Sequence, residues 1–388
     1  MNAITPLSAV TAGNPYPYYA ALVAEKPLYF DAALGMWVAS SARAVEDVLV
    51  NERLHTRPAA QPVPPALAGT PPGSVFSRLI RMTDGEAAAN TRSAVVAALR
   101  TLDVRSVAAA AQTSVQSLMH DRFRDDPKTL PDMLFALPAL TLATLFGFSR
   151  RARENADRWT GGFVRAIAAH ASDADIAAGA AATASMEEAL RAALGDDAEP
   201  RMLYAILLAE CRARQVDDAG AAANAIGLLF QSYDATAGLI GNTLKHLATG
   251  ESCKPRGGES ALADMIAEVA RYDSPVQNTR RYASAGAQVL GETIREGEAV
   301  LVVLAAANRD PLANPDPGRF DGNREDRRTY TFGLGAHACP GAMIAATIAR
   351  VAVATLLENG IQLDLLLNTG YVPSSNVRIP DFRGLIAE

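Results

Sequence analysis

The sequence predicts a mainly α-helical protein with small β-sheets, and three observations support that prediction. Residues 84–199 are rich in alanine with helical patterning between polar turns, and a second long helix is expected over about 217–246. Residues 276–304 instead contain short β-like runs, TRRYA and VLVVL, separated by glycines. Hydrophobic residues make up 49% of the 388 residues and charged residues 20%, an ordinary globular composition that excludes intrinsic disorder.

The N-terminal part predicts a mixture of helix and extended chain. We expect a short helix in YYAALVAEK, an extended run at Met36–Ala39 and an amphipathic helix at Ala42–Val50. Residues 56–74 contain six prolines and predict a long irregular loop. A loop of this length inside a compact fold is typical of a functional or mobile segment.

The C-terminal part predicts two further helices. Ser260 is expected to cap one of them, whose apolar stripe consists of Leu262, Met265, Ile266 and Val269. The other is predicted over about Gly341–Asn359. Because no internal repeat or linker is visible, we expect one domain over residues 1–388.

Charge and cysteine content exclude several classes of protein. Lys and Arg number 36 against 42 Asp and Glu, and this net charge of −6 argues against a dedicated nucleic-acid binder. Cys211, Cys253 and Cys339 are odd in number and far apart, which excludes a disulfide framework and favours a reducing cytosol. The first residues lack the basic and apolar regions of a signal peptide, so we expect a soluble, cytoplasmic protein.

The segment Phe332–Gly341, FGLGAHACPG, is the most informative in the chain. Its glycines allow the backbone to turn tightly and to approach a flat ligand closely. Cys339 lies at the start of a predicted helix, where partial positive charge favours a thiolate. A thiolate in this position suits a soft metal centre, above all haem iron. The alternative is a small buried cysteine in a glycine-rich turn.

This segment resembles the cysteine-ligand loop of the cytochrome P450 family in its soluble bacterial form. Further stretches resemble the family in the expected order, and they are NPYPYYAAL, MWVAS, the ExxR of Glu268–Arg271, YDSPVQ with Arg281, ANRDP and RFD. An isolated ExxR is weak evidence, but together with the cysteine loop some seventy residues later the combination is specific. The resemblance implies a single domain that holds haem between a long central helix and the cysteine-ligand loop and helix.

The same resemblance assigns roles to residues of the cysteine loop and its partners. Cys339 would be the axial thiolate ligand of haem b, and Phe332 would belong to the haem-binding residues. His337 and Arg281 would hydrogen-bond haem propionates, the alternatives being a solvated loop histidine and a surface arginine. Glu268 and Arg271 would form a structural pair, completed by Arg319.

The long central helix departs from the family pattern at its most important point. Aligned on the acid, Asp234 and Thr236 match the family, whereas Ala235 replaces the threonine that supports oxygen activation. Gln231, one turn earlier, is then a candidate to hold the water that delivers protons. Asp234 could instead be a mid-helix surface acid, and Thr236 could simply bond back to the carbonyl of Ser232. Our hypothesis is that protonation depends on Asp234, ordered water and a substrate hydroxyl.

A second departure lies in MTDGEAAANTR. Here the resemblance implies a histidine and an arginine that bind a propionate, but the corresponding positions are Ala88 and Asn90. Arg92 is retained, either as a propionate ligand or as a reductase-facing or solvated arginine.

The resemblance implies a monooxygenase that inserts one atom of O2 into a hydrophobic small molecule in a specialised biosynthetic step. Electrons would come from a ferredoxin and an NAD(P)H-dependent ferredoxin reductase. One alternative is a haem-thiolate enzyme driven by peroxide or assisted by its substrate, which the loss of the threonine at Ala235 supports. Another is a non-enzymatic haem sensor or recruitment module. Cys339, His337 and Arg281 argue against a silent module.

Overall fold

A computed structural model describes residues 4–58, 60–120, 129–195, 201–250 and 259–384, and Cys253 lies outside them. The chain forms two compact units, one of Met1–Pro58, Gly238–Cys339 and Val353–Glu388, the other of Ala59–Ala237 and Pro340–Ala352. The single domain expected over the whole chain stays a prediction.

Helices dominate the described residues, as the sequence predicts. They are α1 (Tyr16–Glu25), α2 (Ala42–Val50), α3 (Pro71–Phe76), α4 (Glu86–Leu99), α5 (Val104–Leu118), α6 (Leu130–Leu145), α7 (Arg150–Ala166), α8 (Asp173–Ala192), α9 (Leu203–Ala213), α10 (Asp218–Ala248), α11 (Glu259–Tyr272), α12 (Leu304–Ala307) and α13 (Ala342–Glu358). Within the described chain, no helix is both long enough and apolar enough to cross a bilayer.

The first unit contains two small sheets. Their strands are β1 (Leu28–Asp31), β2 (Met36–Ala39), β3 (Leu54–His55), β4 (Thr279–Ala283), β5 (Ala287–Val289), β6 (Glu292–Ile294) and β7 (Ala299–Val302). Five strands pair in the order β1-β2-β7-β4-β3, and β5 pairs with β6. Among the strands of the described chain, only β2 and β7 run parallel, with Val38 opposite Leu301. Both side chains are buried in the same apolar cluster, which anchors the sheet.

The second unit is helical over its described residues. Helices α3 to α9 and the first parts of α10 and α13 belong to it. Ser149 and Ser172 cap α7 and α8 by accepting hydrogen bonds from backbone N–H groups of the first turn. Over its described residues, the expected helical region of 84–199 is therefore confirmed as a succession of helices.

Two local predictions are wrong. The proline-rich segment 56–74 is not wholly irregular, because Thr70 caps α3 and Pro71 and Pro72 occupy its first positions. Proline is well suited to the first turn of a helix, where its missing N–H group would have no partner. Ser260 lies inside α11 and does not precede it, although the apolar stripe from Leu262 to Val269 is buried as expected.

Candidate functional site

The cysteine loop is closed by backbone geometry that requires glycine. Gly333 and Gly335 have φ angles of +68° and +62°, in the left-handed region that favours glycine. A Cβ atom on Gly335 would also lie 3.3 Å from the carbonyl oxygen of Leu49. The N–H group of Cys339 donates to the carbonyl oxygen of Phe332 at 2.7 Å, which joins the two ends of the loop.

Cys339 is exposed, so the alternative of a small buried cysteine is wrong. It stands three residues before α13 begins at Ala342. The N-terminal end of a helix favours an anionic sulfur, and an exposed thiolate can donate to a metal. Phe332, at the other end of the loop, is half-buried. Sulfur donor, glycine turn and exposure together fit the proximal ligand of a haem group.

Arg281 and His337 are both placed in the first unit. Arg281 lies on β4 opposite Val300 and is 5% exposed, so the alternative of a surface arginine is wrong. Its Nη1 donates to the carbonyl oxygen of Arg280 at 2.9 Å. His337 is half-buried in the short 3-10 turn Gly335–His337. Their role as propionate ligands stays a prediction.

Glu268 and Arg271 form a completely buried ion pair. Arg271 donates to both carboxylate oxygens, at 3.0 Å from Nε and 2.6 Å from Nη2. Its Nη1 also donates to the carbonyl oxygens of Asn308 and Pro317, at 3.1 Å each. Burial raises the pKa of Glu268, but the hydrogen bonds and charge of Arg271 outweigh it, so that the net pKa lies below its ordinary value. The hydrogen bonds of Arg271 are thus made to groups of the protein itself, as expected of a pair whose role is structural.

The arginine that completes the pair is not Arg319, and this prediction is wrong. Arg327 donates from Nε to Glu268 at 3.0 Å, and Arg324 approaches the same carboxylate at 3.5 Å. The side chain of Arg319 is 69% exposed and lies 3.7 Å from Asp321, and only its carbonyl oxygen accepts from Arg271. The cluster of arginines at 324–328 was the available sequence signal, since it follows the same irregular segment.

Unlike the Glu268–Arg271 pair, the polar side chains of α10 between Gln231 and Thr236 have few hydrogen-bond partners among the described residues. Gln231 Nε2 donates to the carbonyl oxygen of Gly227 at 2.8 Å, so one of its donors is occupied within the helix. Thr236 is completely buried, and among the described residues no atom hydrogen-bonds its Oγ1. The bond back to Ser232 is therefore not made, although Thr160 and Thr183 make the equivalent bond at 2.7 and 2.8 Å.

Asp234 is a half-buried acid and not a fully exposed one. Burial raises its pKa to about 6, against about 4 for an ordinary aspartate. A carboxyl group with this pKa both holds and releases a proton near neutral pH, which suits proton transfer. Its catalytic role, like those of Thr236 and Gln231, stays a prediction.

The aromatic residues beside Asp234 pack in the second unit. Phe230 stacks on Phe163 with ring centroids 5.0 Å apart, and Tyr233 stacks on Phe135 at 5.2 Å. Both arrangements are those of packing residues. Burial raises the pKa of Tyr233 to about 12, so its phenol remains protonated.

The segment MTDGEAAANTR, which departs from the family pattern at Ala88 and Asn90, lies on and just before α4. Arg92 is half-buried on this helix, Ala88 is half-buried and Asn90 is exposed. The two replaced positions carry no cation. Of the three, only Arg92 can contribute a charge to an anionic ligand.

Comparisons with known proteins agree with the resemblance. The cytochrome P450 family model matches residues 261–359. The biotin biosynthesis cytochrome P450 of Bacillus subtilis is 28% identical over 244 residues, which cover 61% of each chain. The 6-deoxyerythronolide B hydroxylase of Saccharopolyspora erythraea is 37% identical over 134 residues, 34% of this chain and 33% of the relative. The chain thus spans less than two thirds of the length of these curated relatives.

The fold agrees over a larger part of the chain. The solved structure of P450BioI, in complex with an acyl carrier protein ligated to hexadec-9Z-enoic acid, superposes with a TM-score of 0.79. It is 25% identical, and the match covers 95% of this chain and 97% of the solved one. The mainly helical fold with small sheets is therefore confirmed.

Proposed function

The chain belongs to the cytochrome P450 family, and from that premise we propose that it is a haem-thiolate monooxygenase. It would insert one oxygen atom of O2 into an organic small molecule, by C–H hydroxylation or a related oxidation. The observation that carries this proposal is the exposed Cys339 at the end of the closed glycine loop. A relative named as a hydroxylase supports the type of reaction.

The Cys339 thiolate would hold the iron of haem b, and the bound haem would supply the oxygen chemistry, which thiolate ligation favours. His337, Arg281 and Arg92 would hold its carboxylates. Arg281 fits this role because a buried guanidinium is a strong bidentate partner for a carboxylate. Phe332 would pack against the macrocycle.

The test is the absorption spectrum of the reduced protein exposed to carbon monoxide. We expect a fully red-shifted Soret band in the native protein and in Cys211→Ala, and its loss in Cys339→Ala. Cys211 is the matched control because its thiol is buried and burial raises its pKa to about 11. A native band at the unshifted position would overturn the proposal.

Proton delivery in this enzyme would depend on Asp234, ordered water and a hydroxyl of the substrate. Ala235 cannot anchor water, whereas burial raises the pKa of Asp234 to about 6 and the buried Thr236 hydroxyl has no described partner. We expect Ala235→Thr to change the coupling of NAD(P)H use to product by less than about twofold when substrate is bound. A large rise in coupling would show that the native site is merely defective.

Ala235 also favours a second candidate, a haem-thiolate enzyme driven by peroxide. Such an enzyme would not need protons delivered to bound oxygen. The two candidates differ in turnover, measured side by side with a ferredoxin, ferredoxin reductase and NAD(P)H or with hydrogen peroxide. Faster turnover with peroxide would favour the second candidate.

The electron donors would be a ferredoxin and an NAD(P)H-dependent ferredoxin reductase. The substrate would be a hydrophobic small molecule in a specialised biosynthetic step, in the cytoplasm. Two relatives support biosynthesis by their names, one in biotin formation and one acting on 6-deoxyerythronolide B. The loss of a polar residue at Ala235, beside Gln231 and Tyr233, is an unusual pattern that favours one selected substrate over a broad range.

A further inference from the structure

The chain just before α4 is clamped onto α10 by one buried asparagine. Asn224 Oδ1 accepts from the N–H group of Ile80 at 3.0 Å, and Nδ2 donates to the carbonyl oxygen of Arg78 at 2.9 Å. Its Nδ2 also donates to the carbonyl oxygen of Gly220 at 2.9 Å. The amide thus pairs with both sides of Leu79, as a neighbouring β-strand would, and is itself tied to its own helix.

These hydrogen bonds of Asn224 hold Leu79 against α10 at Gly227. Leu79 is completely buried. A Cβ atom on Gly227 would lie 2.7 Å from Leu79 Cδ2 and 3.1 Å from Gln231 Nε2. A larger residue at position 227 would therefore displace Leu79 or Gln231, because both side chains meet above this glycine.

Gln231 is consequently held in one orientation. Its Nε2 donates to the carbonyl oxygen of Gly227 at 2.8 Å, and Leu79 packs beside it over the same glycine. Among the described residues, none donates to its Oε1. One turn further along the helix stands Ala235, where the family's hydroxyl is missing. A fixed carbonyl acceptor thus lies on the helix face where a donor was lost.

We propose that Gln231 selects substrates that carry a hydroxyl group, and that Asn224 is the positioning residue that presets it through Leu79 and Gly227. The hydroxyl donates to Gln231 Oε1. The proposal rests on the function above, and it identifies the substrate class as hydroxylated hydrophobic molecules. It also identifies Gln231 as the residue that compensates for the missing threonine hydroxyl at position 235.

The test uses probes that bind haem iron through an imidazole nitrogen and differ by one hydroxyl. They are 1-phenylimidazole and the 2-, 3- and 4-isomers of imidazol-1-yl-phenol, with dissociation constants taken from the Soret shift. One neutral hydrogen bond corresponds to about fivefold in affinity. We therefore expect at least one phenol isomer to bind the native protein about fivefold tighter than 1-phenylimidazole. In Gln231→Leu this preference should vanish.

Asn224→Ala should reduce the preference below about twofold and accelerate hydrogen exchange at the Ile80 amide. The matched control is Asn242→Ala, since Asn242 is also a buried asparagine of α10 whose Nδ2 donates to two backbone carbonyls. It should keep the preference even if stability falls. Gly227→Ala, which displaces Leu79 or Gln231, provides a second test if Asn224→Ala does not fold.

An unchanged preference in Gln231→Leu for every isomer, or no preference in the native protein, would overturn the selection of a hydroxyl. An unchanged preference in both Asn224→Ala and Gly227→Ala would overturn the positioning role. The carbon monoxide spectrum of each variant separates these outcomes from failure of the haem-thiolate assignment. If that spectrum is normal, only the further inference has failed.

Discussion

Two polar regions of this protein differ in how completely their hydrogen bonds are satisfied. Around Glu268, a buried carboxylate receives hydrogen bonds from Arg271 and Arg327, and Arg271 uses its remaining donors on backbone carbonyls. Between Gln231 and Thr236, a carboxyl group has a raised pKa and a buried hydroxyl has no described partner. One region is saturated, and the other keeps unused donors and acceptors.

The difference separates stability from function. A buried charge that loses one partner of a saturated network costs several kcal/mol, so such a network holds a fold in one conformation. Unused buried polar atoms lower stability and persist where a ligand, water or proton is to be bound. The comparison therefore places Glu268 and its arginines in the scaffold, and it supports the proposal that the α10 segment takes part in the chemistry.

The largest expected effect tests the scaffold. Arg327→Ala should lower the free energy of unfolding by about 3 kcal/mol, because it removes a hydrogen-bonded charge from the buried Glu268. Arg319→Ala, whose side chain is 69% exposed, should change it by less than about 0.5 kcal/mol. Urea denaturation of both variants measures the difference. Equal losses would contradict the assignment of Arg327 as the completing residue.

This pair of arginines also shows where prediction from sequence reaches its limit. The sequence predicts α2 and β4 with their observed bounds, because helical and alternating patterns are local. It predicts the cysteine loop for the same reason, since glycines and cysteine are adjacent in the chain. Which arginine contacts Glu268 depends instead on the path of the irregular segment 311–331, and no local pattern encodes that path.

The prolines of segment 56–74 and Asn224 illustrate two further limits of prediction from sequence. Pro71 and Pro72 start α3, and Pro65 starts the short 3-10 turn Pro65–Leu67, although the proline content alone predicts only a loop. Asn224 is an unremarkable polar residue in the sequence of a long helix. Its importance follows from contacts with Arg78 and Ile80, about 145 residues away in the chain, which only the folded structure brings together.

A smaller effect is expected at Asp234 and depends on pH. Burial raises its pKa to about 6 in the folded state, so its contribution to stability is complete below about pH 4 and is lost as pH rises through 6. Asp234→Asn should therefore raise the free energy of unfolding by about 2–3 kcal/mol at pH 8 and leave it unchanged near pH 4. Urea denaturation across this range measures both. A difference independent of pH would contradict the raised pKa.

The smallest effect distinguishes two buried threonines of α10. Thr243 donates to the carbonyl oxygen of Leu239 at 2.7 Å, whereas no described residue bonds the hydroxyl of Thr236. Thr243→Val should lower the free energy of unfolding by about 1 kcal/mol, because it removes a made hydrogen bond. Thr236→Val should raise it by a similar amount, because it removes a buried hydroxyl that lacks a partner, and should lower the coupling of NAD(P)H use to product. Denaturation and product assays on the two variants measure both properties. Equal destabilisation would mean that Thr236 is a packing residue like Thr243, whereas a more stable but less coupled Thr236→Val would show that stability is lost at this position for the sake of proton delivery.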